Sequence, residues 1–341
     1  MADVHIRSVG TALPGPPIDN AALARRLRMS GQWEQWVDVF IGTETRHLSV
    51  DLDTGEPRSS LADLAVTASR TALDRAGLGA GDIDLIVMGS ALPDLLMPTT
   101  VNVVADRLGI NQLPTYQLQS GCTGAVQALH LGVQLLGTGQ YRNALVIGGD
   151  TTAKILDFDA DFTRLSPDQM VNYVLFGDGA GAMVLSTEPG PGSAVVRHVL
   201  TRLTGQGRTP GQTVDWFGPA DRTSSRPPLI EDYKAIEESV PALSVEILAE
   251  LRAELGWENS DIDFLLPPQL SGRMTERIVK LLDVDSARQI SCVQATGNNG
   301  NATPFFQVER ALAEMTAGQR ALCICVESSK WIKAGFAVER V

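Results

Sequence analysis

One cysteine stands where covalent chemistry can happen. Cys122 lies in Gly121-Cys122-Thr123-Gly124-Ala125, after a strand-like run ending at Ser120 and before the helical AVQALHLGVQLLG. Glycines on both sides permit a sharp turn from strand to helix. The thiol is then held at a helix N-terminus, where unpaired N–H groups and the dipole favour the thiolate, the reactive form. The same N–H groups can hold an oxyanion while a thioester carbonyl is attacked. A lone cysteine is ordinarily a buried structural residue, but the strand–Gly–Cys–x–Gly–helix order favours the nucleophile. Cys292, Cys323 and Cys325 sit in apolar strand-like runs and read as small core hydrophobes. No C-x-x-C spacing occurs, so no metal site is expected, and the compartment reads as reducing and cytoplasmic.

The elements that must position this cysteine occur twice. GDIDLIVMGSALP at 81–93 resembles SDIDFLLPPQLSG at 260–272, with Asp82 and Asp261 separated by 179 positions. Gly139-Gln140 and Gly318-Gln319 show the same offset. Each unit opens with an amphipathic helix, LADLAVTASRTALDRAGL or ALSVEILAELRAELGW, and Gly77 or Gly256 stands where that helix would stop. A strand, a helix, a strand, a turn, a long helix and a closing strand follow. Strands alternating with helices predict a largely parallel sheet. Two copies predict two sheets packed about a pseudo-two-fold axis, with halves at 1–186 and 187–341. Residues 201–232, rich in Gly, Pro, Ser, Thr and Arg, read as an excursion over the substrate entrance.

Composition narrows the partners. The chain of 341 residues carries a net charge of −12, which repels phosphate backbones, so nucleic-acid binding is not expected. No apolar run is long enough to span a bilayer, and MADVHIRSVGTALPG lacks the pattern of a secretion signal.

Several motifs together resemble the ketosynthase III family. VHIRSVGTALP is similar to its first strand, WVDVFIGTETRH to its early Trp segment, and SGCTGAVQAL to its nucleophile helix. LFGDGAGAMVL and GNNGNATP are similar to its F-G-D-G-A-G stretch and to the segment that carries a catalytic Asn. The resemblance implies a thiolase fold of five αβαβα layers, usually a homodimer, with an acyl carrier protein or coenzyme A thioester as donor and no other cofactor. It makes Cys122 the acyl-accepting thiol and Asn298 the donor to a thioester carbonyl, with Asn299 and Asn301 as neighbouring alternatives. It places Trp36 where relatives stack coenzyme A.

Three departures bear on mechanism. The family's Pro-His-Gln motif reads Pro267-Pro268-Gln269, so a proline replaces the imidazole. His130, eight residues beyond Cys122 on its helix, is about 12 Å along it, too far to serve instead; His5, His47 and His198 read as structural or surface residues. The Gly-rich turn that lends the oxyanion hole an N–H reads Glu327-Ser328-Ser329-Lys330, with Ser329 counted among substrate-binding positions. Phe40 stands where an Arg for coenzyme A is expected, which favours a carrier protein; Arg25, Arg26, Arg28, Arg273, Arg277 and Lys280 could meet an acidic one. Decarboxylative condensation needs donors that hold an enolate, and losing one costs about 10²–10³ in rate. The first expectation is therefore an acyltransferase that loads Cys122 and passes the acyl group to a small-molecule acceptor, with Gln269 as a remaining hydrogen-bond donor. Decarboxylative condensation by Gln269 and Asn298, and a catalytically silent partner subunit, are the alternatives.

Overall fold

The computed structural model describes residues 3–216 and 227–341. Ten strands form its main sheet: β1 (His5–Ala12), β2 (Leu85–Gly89), β3 (Thr115–Leu118), β4 (Asn143–Asp150), β5 (Gly179–Ser186), β6 (Ala194–Leu203), β7 (Phe264–Leu266), β8 (Arg288–Gln289), β9 (Arg320–Glu327) and β10 (Ile332–Arg340). Their spatial order is β8-β7-β9-β10-β6-β1-β5-β4-β2-β3. Both halves thus read 3-2-4-5-1 from the outer edge inward. Within each half only β5 or β10 runs against its neighbours. The halves meet at two residue pairs, His5↔Val195 and Ile6↔Ala194, so the two expected sheets are hydrogen-bonded into one.

Six helices make the remaining layers: α1 (Leu61–Ala76), α2 (Thr100–Leu108), α3 (Gly124–Leu136), α4 (Tyr233–Leu255), α5 (Gly272–Leu282) and α6 (Thr303–Glu314). One apolar cluster joins α1 and α2 to the first half-sheet, and another joins α4 and α5 to the second. Between them, α3 and α6 share a cluster with both half-sheets. This is the five-layered thiolase arrangement. The middle helices must be apolar on several faces because they have a sheet on each side. Along β4, Ala144 and Val146 enter the middle cluster while Leu145 and Ile147 enter the outer one, as the two-residue period of a strand buried on both faces requires.

The repeat has a local physical cause. Asp82 and Asp261 both close a short 3-10 turn by accepting the N–H at its start, from Gly79 and Glu258. Gly77 and Gly256 end α1 and α4 in the left-handed region, at φ 65° and 66°. Among the described residues, no helix is long and apolar enough to cross a membrane.

Candidate active site

Cys122 occupies a 3-10 turn, Gly121–Thr123, between β3 and α3. Gly121 has φ +51°, and a Cβ there would lie on the Glu327 carboxylate. Asn301 fixes the turn from the other half: its Oδ1 accepts the Ala125 N–H at 2.7 Å and its Nδ2 donates to the Gly121 carbonyl at 2.9 Å. Asp150 at the end of β4 holds Asn301, accepting its N–H and its Nδ2 at 2.8 Å each. Asp150 also accepts from Ser90 and from the N–H groups of Ala91 and Leu92. Burial lifts its carboxyl, and these donors pull it back.

The thiol itself departs from expectation. Burial pushes the Cys122 thiol well above its ordinary range, and the nearby carboxylates of Glu327 and then Asp150 push it further. The helix N-terminus does not supply the stabilisation foreseen for a thiolate, because its donors are spent. Ala125 N–H serves Asn301, and the Cys122 N–H donates to Glu327. Glu327 also accepts the Ser329 N–H at 2.5 Å. The two backbone donors expected to form the oxyanion hole therefore converge on one buried carboxylate, which also hydrogen-bonds the thiol. Ser329 contributes its N–H to this arrangement, while Ser328 lines the cavity.

A cavity opens to solvent beside Cys122. Phe176, Ile236, Val240, Leu270, Ile324 and Val326 give it an apolar wall, and Gln212, Glu231 and Asn298 give it polar points. Asn298 lines the cavity, and its Oδ1 accepts the Gly300 N–H at 3.0 Å. Gln269 also lines the cavity, with its oxygen engaged three times and one of its two amide N–H groups in use. Its Oε1 accepts from Ser291 Oγ and from the Cys292 and Val293 N–H groups, and its Nε2 donates to the Pro267 carbonyl. It braces the turn at 291–293, and this bracing leaves its second amide N–H unused. Asn299, expected at the substrate, is instead fully buried and spends both amide N–H groups on the Asp178 and Thr296 carbonyls.

Pro268 lines the cavity in the place of the expected imidazole, and no histidine is among the described lining residues. His47 bonds the Gly15 carbonyl, and His130 faces Thr201. Trp36 and Phe40 lie outside the cavity, their rings 6.3 Å apart, with Phe40 63% exposed. The excursion at 201–232 does supply cavity wall through Gln212 and Glu231, which face each other across a short antiparallel ladder, Gln212–Val214 with Leu229–Glu231. Its centre, 217–226, lies outside the described residues. Neither Glu231 nor the contact of Glu327 with Cys122 was foreseen from sequence; the only signal was the non-glycine residue at 327.

Family models described as 3-oxoacyl-[acyl-carrier-protein] synthase III and its C-terminal part match residues 116–202 and 252–327. A beta-ketoacyl-[acyl-carrier-protein] synthase III of Rhodospirillum centenum is 34% identical over 298 residues, covering 87% of this chain and 86% of its own. One from Neisseria meningitidis is 30% identical over 308 residues, covering 89% and 88%. The chain belongs to the 3-oxoacyl-[acyl-carrier-protein] synthase III family. A solved structure described as "AbyA1 - tetronic acid condensing enzyme" is 58% identical to it, with a TM-score of 0.95 over 98% of this chain and 99% of that one. This member of the family is a condensing enzyme of the transferase kind, with Cys122, Asn298 and Pro268 lining one cavity and Glu327 in contact with Cys122.

Proposed function

We propose that Cys122 accepts an acyl group from an acyl carrier protein thioester and passes it to a second acyl unit without loss of CO₂. The observation that carries this reading is the set of groups around the thiol: Glu327 against it, Glu231 in its cavity, and Pro268 where an imidazole would stand. Decarboxylation makes an enolate that needs neutral or positive donors, and nearby carboxylates oppose that charge. Carboxylates suit proton removal.

Loading follows from the Glu327 contacts. Glu327 takes the thiol proton as sulfur attacks the thioester carbonyl. Once neutral, it holds the Cys122 and Ser329 N–H groups more weakly, since a charged acceptor makes the stronger bond. Those two donors then pass to the carbonyl oxygen, where negative charge develops. The carrier thiolate leaves and recovers the proton from Glu327, and acyl-Cys122 remains.

The 58% identical relative supports the transfer that follows. A tetronic acid is a five-membered enol lactone. Building it from a hydroxyacyl and a 3-oxoacyl thioester makes one C–C and one C–O bond and releases two thiols, with no CO₂. An acyl group on Cys122 would be attacked by the carbon between the two carbonyls of a 3-oxoacyl thioester. Its hydroxyl would then close the ring on the second thioester.

The test is acyl loading followed by product formation. Incubation with a hydroxyacyl thioester should add one acyl mass to the intact protein, and Cys122→Ala should take up none. Adding a 3-oxoacyl thioester should discharge the adduct as a lactone. Uptake by Cys122→Ala equal to the parent's would overturn the reading. A second reading, decarboxylative condensation, is favoured by Asn298, which still faces the cavity; CO₂ released from a malonyl thioester only by the acylated enzyme would select it.

A further inference from the structure

Glu231 is a second carboxyl group at the same cavity, and loading does not use it. It ends the strand Leu229–Glu231, and its Oε1 accepts the Gln212 Nε2 at 2.5 Å. Its Oε2 is buried without a hydrogen-bond partner. A carboxylate kept for structure normally has both oxygens satisfied, because an unpaired one costs the full penalty of leaving water. Here one oxygen is left free beside a cavity that holds the nucleophile.

The surroundings make this group a proton acceptor that works near neutral pH. Burial is the largest influence and moves its carboxyl from 4.5 up to about 7. Gln212 pulls it down through its hydrogen bond, the Asn172 amide does so without completing one, and the carboxylates of Asp168 and Glu327 add to the rise. Tyr233, at the start of α4, also lies within electrostatic reach. Among the described residues, no cation is among the main groups that shift it.

We propose that Glu231 is the catalytic base that takes the proton from the second acyl unit, a 3-oxoacyl thioester. This rests on the acyl-transfer reading above and adds the residue that drives its second half. Glu231 would remove the proton from the carbon between ketone and thioester carbonyls. The freed electron pair attacks the acyl carbon on Cys122, so a C–C bond forms as the C–S bond breaks. Cys122 leaves as thiolate and recovers the proton from Glu231. The tuning is apt because a base works best with a pKa near the operating pH.

The experiment separates the two half-reactions. The parent, Glu231→Gln and Glu231→Asp are loaded with glycolyl N-acetylcysteamine thioester and then mixed with acetoacetyl N-acetylcysteamine thioester. Adduct and lactone are followed by mass from pH 5 to 9. Loading of Glu231→Gln should stay within about threefold of the parent, while discharge to lactone falls about 10²–10⁴-fold. The parent's rise in discharge rate centred near pH 7 should vanish in Glu231→Gln, and Glu231→Asp should recover part of the rate. Glu231→Gln should also melt above the parent at pH 8, since it removes a buried charge. Discharge at the parental rate and pH profile would overturn the assignment, as would equal losses of loading and discharge. A parent that loads but makes no lactone would instead sink the functional reading, and the assignment with it.

Discussion

At the scale of single residues, the chemistry turns on carboxylates that no local sequence pattern reveals. Glycine-flanked turns mark Cys122 and Asn298 in the sequence, and both residues line one cavity. The protonation of the thiol was not legible there, because the decisive neighbour, Glu327, arrives from 205 positions away. A helix N-terminus alone argues for a thiolate, whereas the assembled site argues for a thiol with a base in contact. Glu327→Gln keeps the shape and removes the base, so loading of Cys122 should slow by about 10²-fold or more, read by intact mass against time. Faster loading would show that the carboxylate only blocks the N–H pair. Glu231 also makes stability depend on pH. Its folded pKa lies above its ordinary value, so the folded state binds the extra proton. Stability is therefore highest below about 4.5 and falls as pH rises to about 7. The full span is roughly 3 kcal/mol. For this one group, the parent-minus-Glu231→Gln difference in unfolding free energy should become less favourable across that window.

At the scale of elements, the turn at Cys122 is where the two halves interlock. The order of strands and helices was readable from hydrophobic period and glycine punctuation, and the 179-residue offset reappears as paired 3-10 turns with the same aspartate cap. Asn299 was misread because amides suit both turns and substrates, and only the bonds made across the fold tell which. Gly121 shows how tightly the turn is set: its φ is +51° and its missing Cβ leaves room for Glu327. Gly121→Ala should cost about 1–2 kcal/mol from backbone conformation alone and displace Glu327 as well. If the contact matters, the penalty in Gly121→Ala/Glu327→Ser should be smaller than the sum of the single changes. Strict additivity in denaturant melts would count against that coupling.

For the whole molecule, the ends of the ten-stranded sheet differ in a way that bears on assembly. One end is β8, two exposed residues long, with Arg288 paired to Glu314 at 2.7 Å; short, charged edges resist further pairing. The other end is β3, Thr115–Leu118, which carries no charge and places Tyr116 37% exposed on an open edge. Leu95, Leu96 and Met97, exposed by 53%, 63% and 86%, precede the helix that leads into that strand. An uncharged open edge and a run of three exposed apolar side chains are each costly to leave in water. Pairing β3 with its copy across a two-fold axis would cover the edge and extend the sheet through both subunits. Light scattering should therefore give twice the 36.5 kDa of one chain. Tyr116→Lys, which places like charges opposite each other across the axis, should raise the dimer dissociation constant at least tenfold. A parent that stays monomeric at micromolar concentration would mean that the β3 edge is covered by something other than a second copy.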